Sequence, residues 1–242
     1  MVAKDTEVAG DVVTDTDYAV QADLEEGLVD LVPHSRFIGE EGFEANGLIS
    51  NDPYWIVDPL DGTLNFACDL PFFGASIALI ESGQPTLGVI YDYGSDTLFT
   101  AVSGAGSLIN GQPMRWNEDL AKRSPVGISS GFLERMNDTE SDINFHPDWL
   151  GSRFRIFGSQ AVQLCWAAAG RLKLNINVEA KLWDDAAGAL ICREAGADYE
   201  ALNAAPLFPL TRNATALAGQ NLFSVSGSPE MVALCRREFK QG

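Results

Sequence analysis

The chain has 242 residues, 46% of them hydrophobic, with 34 acidic against 16 basic side chains and a formal charge of −18. That length can bury a large core as one domain or two closely joined halves, and the composition excludes a disordered chain. The charge repels nucleic-acid phosphate from the fold as a whole, and an anionic small molecule needs cations at its site. No window approaches 18 uninterrupted apolar residues, and the acidic start MVAKDTEVAGDVVTDTD lacks an apolar h-region, so neither a membrane span nor a signal peptide is expected. Cys68, Cys165, Cys192 and Cys235 lie far apart without a C-x-x-C pair, which predicts reduced thiols in a cytoplasmic protein.

In chain order, DTDYAVQADLEEGLVDLV has helical spacing and is ended by Pro33. RFIG predicts a short strand leading into Glu40 and Glu41, and YWIV a buried strand stopping at Asp58 and Pro59. GASIALIES, PTLGVIYDY and TLFTAVSG are apolar runs separated by SGQP and GSD, an antiparallel meander that SLINGQPM extends through an Asn-Gly turn. Beyond a polar stretch at 117–125 the elements alternate. PVGISS and RFRIFGS read as strands, GSQAVQLCWAAAGRL as a helix, KLNINV as a strand, WDDAAGALICREAGA as a helix and ADYEAL as a strand. FSVSGSPEMVALCRREF adds a last strand and a last helix, capped by Ser228 with Pro229 in its first turn. The whole is mixed α and β. Residues 1–120 form an α+β half with the antiparallel sheet, and 121–242 an α/β half.

The stretch WIVDPLDGTLNF, residues 55–66, carries the chemistry. Asp58 follows a buried strand, so the core holds its backbone, and Pro59 stiffens the turn. Asp61 comes three positions later, and two close anions repel unless a cation lies between them. Gly62 and Thr63 open a short helix whose free N–H groups can receive phosphate. Taken alone, DPLDG favours an ordinary Asp-Pro turn with an Asp-Gly helix entry. GEEG at 39–42 adds Glu40 at a strand end, with Glu41 as a solvated neighbour. WDDAAG at 183–188 adds Asp184 at a helix start, where an N-cap is the ordinary explanation. Carboxylates from separate segments suit Mg²⁺, a hard cation that takes oxygen ligands and substrate phosphate.

These segments together resemble the inositol monophosphatase family of Mg²⁺-dependent, lithium-sensitive phosphatases. DVVTDTD, FIGEEG, WIVDPLDGTLNF, GVIYD, GAGSLINGQPM and WDDAAGALICREAGA occur in the family's order over nearly the whole chain. The resemblance implies that most of the family's first helix would be missing or trimmed here. The resemblance implies a layered αβαβα sandwich of the inositol monophosphatase and fructose-1,6-bisphosphatase type. It implies that Glu40, Asp58 and the Leu60 carbonyl hold one Mg²⁺ and that Asp58, Asp61 and Asp184 hold a second. Glu40 would also serve a third, weaker ion through water, and Li⁺ would inhibit. Thr63, paired with Asp17, would activate the attacking water, and the N–H groups of Gly62 and Thr63 would bind phosphate. Lys4 lies near a basic position of the family, out of clean register.

Substrate contacts depart from the family. Where inositol-specific members carry Glu seven residues before the Asp of the WD motif, this chain has Asn177, with Glu179 two positions on as a substitute or a solvated loop residue. Asp184 would add a substrate contact. Ser159 and Gln160 start a helix that approaches the substrate, and helix capping is the simpler role for both. The implied activity is hydrolysis of a small phosphorylated polyol such as inositol monophosphate by a cytoplasmic homodimer. Histidinol phosphate, fructose 1,6-bisphosphate, 3′-phosphoadenosine 5′-phosphate or a non-enzymatic regulatory role are the alternatives.

Overall fold

The structure is a computed structural model that describes residues 2–3, 12–13, 15–43, 52–137, 152–210 and 217–239. Lys4 lies outside the described residues. Strands β1 (Val2–Ala3) and β2 (Val12–Val13) pair antiparallel ahead of helix α1 (Asp15–Leu31). Strand β3 (Arg36–Gly39) lies parallel to β4 (Tyr54–Asp61). Helix α2 (Thr63–Ala67) then leads to an antiparallel run of β5 (Gly74–Glu81), β6 (Gln84–Asp92), β7 (Thr97–Val102), β8 (Gly106–Ile109) and β9 (Gln112–Met114). The seven strands β3 to β9 lie side by side in sequence order. The expected meander is therefore present. At its Asn-Gly turn, Asn110 and Gly111 both have positive φ, as a two-residue hairpin turn of the primed type requires.

After the short helix α3 (Glu118–Ala121) come β10 (Val126–Ile128), α4 (Ser130–Asn137), β11 (Phe154–Arg155), α5 (Gln160–Ala168) and β12 (Leu174–Ala180). Helix α6 (Leu182–Ala195), β13 (Asp198–Ala201), β14 (Leu222–Gly227) and α7 (Pro229–Phe239) complete the described chain. The second sheet has the order β11-β10-β12-β14-β13. The RFRIFGS strand shrinks to Phe154–Arg155, a two-residue edge partner of β10.

Packing arranges these elements in five layers. Leu24 and Leu28 of α1 cover Trp55, Val57 and Leu79 on one face of the seven-stranded sheet. The opposite face, with Ile56, Ile80, Ile90 and Phe99, packs on Leu164 of α5 and Leu190 of α6. Those two helices lie so close that a Cβ on Gly188 would come within 2.4 Å of the Leu164 side chain. The second sheet covers their other side. Its outer face, including Ile176 and Val225, packs on Phe132 of α4 and Val232 of α7. The result is the expected α+β, αβαβα sandwich. Among the described residues no helix is long and apolar enough to cross a membrane.

Candidate active site

Strand β4 delivers the first two carboxylates. It does not stop at Asp58. It continues through Pro59 to Asp61, which pairs with Gly74, and the ladder is irregular between Asp58 and Asp61. Proline has no N–H to give a ladder, and the irregularity absorbs that loss. The Leu60 N–H donates to Asp58 Oδ1 at 2.9 Å. Asp61 Oδ2 accepts from Ser159 Oγ at 2.7 Å and from the Ala161 N–H at 2.6 Å, both at the start of α5. Ser159 is the N-cap of α5, as expected, and its bond to Asp61 is a second role that local sequence does not show.

Asp184 arrives from the middle layer. It is not the N-cap of α6: Lys181 holds that position, and Asp184 Oδ2 accepts from the Lys181 N–H at 2.7 Å. A carboxylate three residues into a helix satisfies an orphan N–H of its first turn. One carboxylate oxygen from each of Asp58, Asp61 and Asp184 lies within 4.8 Å of the others. Each carboxylate is anchored at a named oxygen by a backbone N–H, and the Asp58 and Asp184 carboxyls also bond each other.

Burial pushes the Asp58 carboxyl well above the usual range, and the charges of Glu40, Asp61 and Asp184 add to it. Asp184 is raised in the same way, by burial and then by Asp61 and Glu40. Asp61 is pushed up to about 6 by burial, against the hydrogen bonds from Ser159 and α5. Such a group holds protons or a cation, because its members cannot all ionise together. Glu40 stands at the end of β3 with its N–H on the Val57 carbonyl at 3.1 Å. Its neighbour Glu41 differs from the sequence expectation: it is buried, and its backbone is clasped by the Gln21 amide of α1 through bonds of 2.8 and 3.0 Å.

Thr63 lies beside the cluster. Its Oγ1 is 3.2 Å from Asp17 Oδ1 and 3.0 Å from the Leu60 carbonyl. One hydroxyl proton can serve only one of them at a time. Asp17 is the one buried residue of α1, so this pairing joins the first helix to the strand end. Gly62 has φ 96°, and a Cβ there would sit 3.1 Å from the carbonyls of Gly158 and Phe72. Glycine is therefore required at this left-handed turn into α2.

The two substrate candidates are placed differently. Asn177 is buried. Its Oδ1 accepts from the N–H groups of Glu179 and Ala180, and its Nδ2 donates to Gln160 Oε1. Glu179 is exposed on β12, and its carboxylate accepts from the Gly131 N–H in the first turn of α4 at 3.0 Å. Gln160 is no cap: its side chain also donates to Asp185, which is fully buried and which nothing in the local sequence marks. Burial pushes Asp185 up to about 6, opposed by bonds from Gln160, Tyr199 and Ser224.

A phosphomonoester suits this corner, since its anionic oxygens need a cation and the three carboxylates can hold one. Fold and site together place the protein among the phosphatases of phosphomonoesters. The profile of the inositol monophosphatase family matches residues 1–226, and the chain belongs to that family. It is 38% identical over 193 residues to inositol monophosphatase 1 of Solanum lycopersicum, covering 77% of this chain and 70% of the relative. It is 38% identical over 199 residues to the Nus factor SuhB of Pasteurella multocida, with the same coverage of 77% and 70%. An IMPase/NADP phosphatase solved with Mg²⁺ and phosphate shares the fold, with a TM-score of 0.78 at 20% identity over 100% of this chain and 87% of that one.

Proposed function

We propose that the protein is a Mg²⁺-dependent phosphatase of small phosphorylated polyols, inositol monophosphate among them. The observation that carries this is the convergence of Asp58, Asp61 and Asp184, three oxygen donors from two layers of the fold, within 4.8 Å. Oxygen ligands across one Mg²⁺ lie about 4 Å apart, and a carboxylate set is its usual protein donor. Raised carboxyl groups at all three positions fit a site that a cation completes.

In this proposal Asp58, Asp61, Asp184, Glu40 and the Leu60 carbonyl hold two or three ions, with Li⁺ as a competing inhibitor. Bound Mg²⁺ supplies charge neutralisation of the ester and a lower pKa for water. Thr63 orients the attacking water: when its proton points to Asp17, its lone pairs face outward to accept from that water, and the Leu60 carbonyl is left for a cation. Asp17 holds the Thr63 proton in that direction from inside the core. The N–H groups of Gly62 and Thr63 receive the phosphate oxygens, and Asp184 meets the hydroxyl side of the ester. The Asn177 amide is engaged within the protein, so it contributes through the shape of β12, and Glu179 is the nearby acceptor that can reach solvent. The working unit is a homodimer in the cytoplasm.

Phosphate release from a panel of esters, with Mg²⁺ and with chelator, tests the proposal. Turnover of polyol phosphates that disappears with chelator is expected, and histidinol phosphate, fructose 1,6-bisphosphate and 3′-phosphoadenosine 5′-phosphate belong in the same panel. A relative named as a Nus factor favours a second reading, a non-enzymatic regulatory role. That role gains if no ester is turned over at any Mg²⁺ level. A charge of −18 then favours a protein partner over nucleic acid itself.

A further inference from the structure

Helix α5 and strand β12 are joined by a hydrogen-bond chain that runs in one direction. The N–H groups of Glu179 and Ala180 can only donate, so the Asn177 atom at 2.7 and 2.9 Å from them is the oxygen. Its Nδ2 must then face Gln160, whose Oε1 accepts from Asn177 and from Asn175, each at 3.0 Å. The Gln160 Nε2 is thereby turned to Asp185 Oδ1 at 2.7 Å and Ser224 Oγ at 3.1 Å. Gln160, Asn177 and Asp185 are all buried, so every amide orientation follows from backbone donors at one end and a carboxylate at the other.

Two members of this chain, Gln160 and Asn177, lie next in the backbone to groups that hold the carboxylate cluster. Gln160 opens α5, and the flanking Ser159 hydroxyl and Ala161 N–H hold Asp61. Asn177 closes the irregularity of β12 between Asn177 and Ala180, and the next residue, Lys181, gives its N–H to Asp184. We propose that Gln160 is a positioning residue for the metal site: it ties the start of α5, which holds Asp61, to the β12 bulge, which delivers Asp184, and so fixes the separation of two carboxylates that share a cation. This rests on the Mg²⁺ site proposed above. Gln160 itself is not placed against substrate or ion.

The test is calorimetric titration of Mg²⁺ into the full chain without substrate, beside thermal unfolding and steady-state kinetics. Gln160→Met keeps the length of the side chain and removes every hydrogen bond it makes. Its Mg²⁺ affinity should fall at least tenfold while unfolding stays cooperative, and at saturating Mg²⁺ kcat should fall more than KM. Asn177→Asp keeps the shape and replaces the donor facing Gln160 with an acceptor, so it too should weaken Mg²⁺. Adding Asp185→Asn provides a donor at the far end, lets the Gln160 amide turn over, and should recover affinity relative to Asn177→Asp alone. General loosening of the fold does not make a second substitution repair the first. If the unaltered protein takes up no Mg²⁺, the metal proposal itself is overturned. If it binds Mg²⁺ and Gln160→Met stays within threefold of it, the role of Gln160 is overturned. If the double variant is no better than Asn177→Asp, the directed chain is overturned, and that pair decides the matter should Gln160→Met not fold.

Discussion

The middle helices meet two sheets in two different ways. Toward the seven-stranded sheet, α5 and α6 face Ile56, Ala78, Ile80, Ile90 and Phe99, with Ser76 as a polar exception that donates to the Trp183 carbonyl at 2.8 Å. Toward the five-stranded sheet they face the buried, hydrogen-bonded Asn175, Asn177 and Ser224 beside the apolar Leu222, while the alternate residues Ile176 and Val225 of the same strands pack outward on α4 and α7. The first contact is close packing of apolar groups, which is tolerant in direction and large in energy. The second is a set of directed bonds, which contributes less net stability but fixes positions to a fraction of an ångström. One side of the middle layer holds the fold together, and the other sets the site.

Asp58 is the sharpest challenge to that division, because it is a buried carboxyl group on the apolar sheet. Asp58→Asn should lower turnover by on the order of 10³-fold or more, the scale of losing a group that stabilises charge in the transition state. The same change should raise the melting temperature of metal-free protein, since it removes a crowded carboxylate. Near-normal activity in saturating Mg²⁺ would show that Asp58 belongs to the structural side after all. Thr63→Ala, one turn further along, should cut kcat by about 10²-fold with little change in KM, as expected for a proton-handling group. An effect confined to KM would leave Thr63 as a phosphate contact only.

Two smaller changes separate the faces directly. Ile90→Ala should lower stability by roughly 2–5 kcal/mol and leave Mg²⁺ affinity in calorimetry unaltered. Ser224→Ala should shift unfolding by only about 1 kcal/mol yet weaken Mg²⁺ several-fold, because the Gln160 and Asp185 side chains lose a partner. Equal effects of both variants on Mg²⁺ would dissolve the contrast. The last expectation concerns pH. Asp61 and Asp185 are held near 6 in the folded protein, above the value of an unfolded aspartate, so the folded state binds more protons between about pH 4 and 6. Metal-free protein should therefore lose stability as pH rises through that window, and added Mg²⁺ should restore it at pH 7. Unfolding followed by circular dichroism from pH 4 to 7.5 measures both.

Much of the fold was legible because its signals are local. The Asn110–Gly111 turn, Pro33 beyond α1, and the apolar runs of β5 to β7 each announce themselves within a few residues. So did Asp58, Asp61 and Asp184, which stand at strand and helix ends in a familiar pattern. The pairing of Thr63 with Asp17, 46 residues away, followed only from family resemblance, and the structure brings the two within hydrogen-bond range. The seam against the second sheet was not legible. Gln160 looked like a helix cap because its partners lie 15 to 64 residues away, on three other elements. Asn177 looked like a substrate contact because the order of residues does not show which way an amide turns. Glu41 looked solvated because nothing near it in sequence signals the Gln21 clasp from α1.

The one-way run from Glu179 to Asp185 also has a consequence for descent. An acid at position 177 would reverse a donor, and the chain would then need a donor at position 185 to remain complete. Single changes along this seam pass through an interrupted intermediate, whereas paired changes do not. Positions 160, 177 and 185 should therefore drift together among related chains, in matched sets of amides and acids, while their apolar counterparts across α6 exchange one at a time.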